Sequence, residues 1–166
     1  VREHTQPACL KEDTGADISI CGECPLRSSS TAGRRCYVNV GQAPLAVYRA
    51  LRNRSYPRAK DHSAIAAAGA TRAIRLGSYG DPAAVPTEIW AALVSEASSW
   101  TGYTHQWRNP TFDSQLLDLC MASIEDRSEI AELHAKHPGA RYFRVRQPGT
   151  ARVRGEMQCP ASAEAG

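Results

Sequence analysis

No apolar run in this sequence approaches the roughly 20 residues that a membrane-spanning helix needs. The opening Val1-Arg-Glu-His-Thr-Gln-Pro7 also lacks the apolar stretch of a secretory signal, so a soluble, cytoplasmic chain without a membrane partner is expected. Excess charge is scarce too: 20 basic against 17 acidic residues leave +3, too little by itself to mark a nucleic-acid binder. No phosphate-binding glycine loop, serine elbow or zinc-protease helix occurs, so no familiar motif names a reaction. Lysine is the scarcest charged residue, present only as Lys11, Lys60 and Lys136.

The basic side is therefore almost wholly arginine. It gathers at Arg49, Arg52, Arg54 and Arg58 and again at Arg141, Arg144, Arg146, Arg152 and Arg154. A guanidinium grips phosphate with a planar fork, so these clusters fit nucleic acid or a phosphorylated ligand. A GC-rich genome that favours arginine codons on solvated faces is the simpler account of them.

At 166 residues, 42% of them hydrophobic, the chain is expected to fold as a single domain. Four stretches divide it. Residues 1–43 have little apolar periodicity and hold four of the six cysteines, with a loop at Arg27-Ser-Ser-Ser-Thr-Ala-Gly33. Such a segment builds no core of its own, and a bound metal would order it. Residues 44–70 form a helical connection: Pro44 opens a helix to Asn53, and the alanine-rich 64–70 stretch adds a helical turn or a packed linker.

Residues 71–150 are regular. Ala73–Leu76 reads as a strand, followed by a helix capped by Thr87. Gly102–Trp107 reads as a second strand and Cys120–Ile124 as a third. A helix then opens on the capping box of Asp126 and Glu129 and runs to Lys136, and Tyr142–Arg146 is the fourth strand. Residues 151–166 are left as a tail. The alternation predicts an α/β fold, a partial barrel or open parallel sheet with helices, preceded by an irregular, metal-stapled cysteine segment. Ligands of such sheets bind at the carboxyl ends of the strands. Those ends carry Ser78, Tyr79 and Asp81, then His105, Gln106, Trp107 and Arg108, then Ser123, Glu125 and Asp126, then Arg146.

Six cysteines in a cytoplasmic chain point away from a disulfide framework and toward metal. Cys21-Gly-Glu-Cys24 lets two thiolates reach one ion from a tight turn; Cys36 follows and Cys9 precedes, each after eleven residues. Four thiolates suit tetrahedral zinc or a four-iron cluster. Cys159 competes with Cys9 for the fourth place, and Cys120, within an apolar run, reads as a buried small residue. His134 and His137, three apart at a helix end, fit the helix dipole better than a metal. His105, between Tyr103 and Trp107, is the candidate functional histidine.

Cys36-Tyr-Val-Asn-Val-Gly-Gln-Ala-Pro-Leu, Arg75-Leu-Gly-Ser-Tyr-Gly-Asp-Pro82, Gly102-Tyr-Thr-His-Gln-Trp107 and Gln158-Cys-Pro-Ala-Ser162 resemble a family of uncharacterised cysteine-rich phage and prophage proteins over most of the chain. That family continues past the Cys-Pro element into further cysteines, so the resemblance implies a shortened form without a second metal centre, and a host-cell cytoplasm. More distantly, the order of elements resembles radical S-adenosylmethionine enzymes. These have an early three-cysteine loop and a glycine-rich acidic turn after a strand. The resemblance implies a cluster on Cys21, Cys24 and Cys36, with Gly77, Ser78, Tyr79, Gly80 and Asp81 beside the cofactor. Ser123 and Glu125 would adjoin it, with His105, Trp107 and Arg108 facing substrate. The family's cysteine loop is tighter than the spacing here, and a zinc-stapled accessory protein using its arginines on nucleic acid or a host protein is the alternative.

Overall fold

The computed structural model describes Gly15, residues 17–27, 35–36, 38–146 and 149–159. Cys9 and most of the loop after Arg27 lie outside them. In chain order the elements are α1 (Ile18–Cys21), α2 (Ala43–Arg52), α3 (His62–Gly69), β1 (Ala73–Leu76), α4 (Thr87–Val94), β2 (Ser99–Thr104), α5 (Leu116–Leu119), β3 (Met121–Ile124), α6 (Glu129–Lys136) and β4 (Tyr142–Arg144). Single 3₁₀ turns at Pro82–Ala84 and Gln106–Arg108 follow β1 and β2. The four strands form one open sheet in the order β1-β2-β3-β4, every neighbouring pair parallel. An open sheet, one of the two architectures expected, is what the chain adopts.

Local chemistry explains most boundaries. Pro44 sits in the first turn of α2, where its missing N–H is no loss. The alanine-rich stretch is a full helix, because the Asp61 carboxylate accepts from the Ala64 N–H at 2.9 Å and caps it. Two expected caps are absent. Thr87 is already helical and makes no capping bond. The Asp126 carboxylate instead accepts from the Ser128 N–H at 2.8 Å in a local turn, and α6 begins only at Glu129. The second strand ends at Thr104, three residues before its expected end, because His105 turns into the 3₁₀ segment.

Side chains two apart in a strand share a face, and Ala122 and Ile124 of β3 both enter a core with Trp107, Leu117 and Leu133. Leu76, Val94, Leu116 and Cys120 form a second cluster, and Phe112 packs against both. Leu133 has no exposed surface; full burial of a leucine contributes roughly 1.5–3 kcal/mol. Because all strands run the same way, β1, β2 and β3 deliver residues 77–81, 105–108 and 125 to one edge of the sheet.

Candidate functional site

At that edge the cysteine segment docks on the strand ends. Cys21 closes α1, and the chain turns at Gly22 with φ +55°. Gln106 clamps the turn in both directions: its side-chain amide donates to the Cys21 carbonyl at 3.2 Å, and its carbonyl oxygen accepts from the Glu23 N–H at 3.3 Å. A methyl group on Gly22 would stand 2.4 Å from that oxygen, so both the positive φ and the close approach require glycine. Gly80, φ +96°, brings the β1 turn close to α1, where an added methyl would stand 2.8 Å from the Ile20 carbonyl, and the next residue, Asp81, donates its N–H to that carbonyl at 2.7 Å.

Asp81 is buried and joins two strand ends. One carboxylate oxygen accepts from the Thr104 hydroxyl at 2.7 Å and the Ala83 N–H at 3.0 Å; the other accepts from the His105 N–H at 2.8 Å. The segment itself is stapled by Arg27, whose fork meets both Asp17 oxygens at 3.0 and 2.7 Å and donates to the Gly22 and Gly15 carbonyls. The Asp17 side chain is only 4% exposed. Among the described residues, the Asp17–Arg27 ion pair and the Gln106 amide clamp hold the segment in place.

On this frame Cys24 Sγ lies 3.5 Å from His105 Nδ1, and His105 Nε2 lies 3.1 Å from a Glu125 carboxylate oxygen. A chain of thiol, imidazole and carboxylate thus crosses from the cysteine segment over β2 to β3. Burial pushes the Cys21 thiol up to about 12, with Asp17, Cys24 and Cys36 adding to the shift and Arg27 opposing it. Burial also raises the Cys24 thiol; the Leu26 backbone opposes this, while the charges of Cys36, Asp81 and Glu125 reinforce it. Burial is the leading cause at both thiols.

Among the described residues, no three His, Cys, Asp or Glu side chains converge closely enough to hold a metal ion. Of these donor types, the fold sets the Cys24 thiol and the His105 imidazole side by side. Cys21, Cys24, Cys36, Cys120 and Cys159 are free of disulfides. Cys159 is exposed, and Cys120 is wholly buried against the β1 and α4 core, as its apolar surroundings imply.

The other sequence-derived candidates divide. Gly77, Ser78, Tyr79 and Gly80 form the β1 turn beside the cysteines, where Ser78 and Arg75 border a shallow cavity of about 300 Å³. Trp107 does not face a ligand space: it is 1% exposed, its indole donates to the Ser123 carbonyl at 2.8 Å, and its own carbonyl bonds His137 Nε2 at 2.8 Å. The Arg108 guanidinium stacks on that indole at 3.8 Å and pairs with Glu129 and Glu132. Both therefore anchor the 3₁₀ turn that carries His105. His134 bonds the Ala140 carbonyl at 3.2 Å, in keeping with a structural role. Arg144, expected in a phosphate-gripping cluster, is committed instead to Glu156 through bonds of 2.6 and 2.8 Å.

Asp17 and Thr104 are positioning residues that motif reading missed, and Gln106, expected only as one of the strand-end residues, is the clamp of the cysteine turn; their partners lie 10, 23 and 85 residues away, so no local spacing marks these roles. A larger cavity of about 410 Å³ is bordered by Ile20, Gly22, Asp81, Gln106, Thr87 and Phe112. Comparison with family models, curated proteins and solved structures returned no match. No helix among the described residues is long and apolar enough to cross a membrane.

Proposed function

We propose that this chain binds a metal ion or iron–sulfur cluster through Cys21, Cys24 and Cys36 at the carboxyl edge of its parallel sheet. The observation that carries this reading is the docking of the Cys-x-x-Cys turn onto the strand ends, which sets Cys24 Sγ 3.5 Å from His105 Nδ1. The spacing suits two ligands of one centre, and the edge is where open parallel sheets place their ligands. Zinc would cross-link the segment to the sheet, and a cluster would add electron transfer. The chain's own residues fix the turn (Gln106, Arg27) and the strand ends (Asp81, Thr104). Elemental analysis of anaerobically purified protein tests the reading. Brown protein with iron and sulfide assigns a cluster, colourless protein with one zinc assigns a structural site, and absence of both overturns the proposal.

A second reading, an S-adenosylmethionine-type enzyme, is favoured by the cavity of about 410 Å³ beside Gly22 and Asp81, which is of small-molecule size. Equilibrium dialysis of the metal-loaded protein with that cofactor tests it, and no retention overturns it. Nucleic acid or a host protein is the partner class that the exposed Arg49, Arg52, Arg54 and Arg58 fit. Nucleic-acid affinity that falls steeply with salt and with Arg49→Ala supports that use; affinity unchanged by both removes it.

A further inference from the structure

We propose that a second copy of this chain docks its α2 helix into the cavity of about 410 Å³ beside α1, so that the molecule associates head to tail. The inference stands apart from the metal reading and gives that cavity an occupant other than the cofactor of the second reading.

The helix carries an uncovered apolar face. Val47 and Leu51, four residues apart and therefore on one side of α2, are 52% and 66% exposed, and no residue of the helix is buried. Apolar side chains left open on an amphipathic helix are anchors for a partner's groove. The charge around them has a single sign. Between Glu23 and Asp61 the sequence has no acidic residue, and Arg49, Arg52, Arg54 and Arg58 are all exposed. None of the four is paired with a carboxylate among the described residues.

The cavity complements this surface. It is a trough more than a chamber, since most of the side chains along it, from Ile18 and Ile20 to Glu88 and Asp113, are exposed. Ile18, Ile20 and Phe112 give it apolar walls. Asp81, Glu88 and Asp113 border it, and no lysine, arginine or histidine does, in a chain with 20 lysines and arginines. A phosphate or a free carboxylate therefore meets no cation there, whereas an apolar helix face rimmed by guanidinium groups meets both apolar surface and opposite charge. The trough has room for several side chains and not for a whole helix, so α2 lies across it with Val47 and Leu51 inserted.

Helix and trough are different surfaces of one chain, so the contact is heterologous: each copy offers one of each, and association continues until a ring closes. Nucleic acid would engage the arginines but leave the apolar face uncovered. An anionic lipid surface also suits a basic amphipathic helix, but it leaves the acidic trough unmatched.

Sedimentation velocity of the full-length chain tests the inference, in reductant so that exposed Cys159 forms no cross-link. The sedimentation coefficient should rise with protein concentration, and less so as salt is added. Leu51→Asp should weaken association by about tenfold or more. Two charge reversals should do the same: Arg52→Glu with Arg54→Glu on the helix, and Glu88→Lys with Asp113→Lys on the trough. Each reversed chain should sediment as a monomer alone, and the two mixed should associate again, which separates lost complementarity from a lost fold. A wild type that stays monomeric at every concentration overturns the inference. So does association that all of these changes leave intact, or a pair of reversed chains that stays monomeric when mixed. Monomers that gather only on an added oligonucleotide, or only on vesicles of phosphatidylglycerol, also overturn it and assign the arginines to nucleic acid or to lipid.

Discussion

Asp81 shows how much one side chain decides at this edge. Three donors from three places, the Thr104 hydroxyl and the Ala83 and His105 backbone N–H groups, converge on its two oxygens away from water. Asp81→Ala strands all of them and should cost on the order of 3 kcal/mol, with Asp81→Asn costing less because one acceptor survives; urea unfolding at neutral pH measures both. The thiols make a second residue-scale prediction. Burial pushes Cys120 up to about 12 from the ordinary 9.0, so its neutral form is the one that packs. Its contribution to stability is complete below pH 9 and is lost as pH rises toward 12. Iodoacetamide mapped by mass spectrometry at pH 8, on metal-free protein, should label exposed Cys159 first and Cys21 and Cys120 last. Rapid labelling of Cys120 would contradict its burial.

Among the elements, α1 is too short to be stable alone, and its position comes from polar bonds to elements far along the chain. The tail after β4 is held in a comparable way. Glu156 takes two bonds from Arg144 and one from the Val153 N–H at 2.7 Å, and the Arg144 contact holds its carboxyl below the usual 4.5. A lowered carboxyl stabilises the fold above its ordinary value and ceases to do so as pH falls through the lowered one. Acidification below about pH 4.5 should therefore release this segment, read as faster amide exchange around residues 149–157. Glu156→Gln should remove the pH dependence and cost about 1–3 kcal/mol at pH 7.

At the scale of the molecule, the sheet and its two clusters form a core on which the cysteine segment rests by polar contacts at the edge. Metal at 100 times its dissociation constant would add about 2.7 kcal/mol to a chain that binds it only when folded. Differential scanning calorimetry with zinc and then with chelator should show the melting temperature rise and fall together. A melting temperature indifferent to both means that no centre links segment to sheet.

The sequence by itself determined the strand and helix order, because apolar periodicity and Gly and Pro breaks are local signals. Ala73–Leu76 falls where the pattern puts it, Met121–Ile124 begins one residue after the expected Cys120, and parallel pairing follows from the helices between strands. It also singled out Cys21 and Cys24 by their two-residue spacing, and His105, Asp81 and Glu125 because the ends of parallel strands can be counted along the chain. Tertiary structure alone decided what these residues do to one another. Cys24 meets His105 across 81 residues and His105 meets Glu125 across 20. Trp107 and Arg108 became anchors because the 3₁₀ turn points them inward and along α6. Arg144 left the basic cluster because Glu156, twelve residues on, folds back onto it. Residue type and spacing carry the chemistry available to a chain, but which groups share a site depends on long-range contacts that no local pattern encodes.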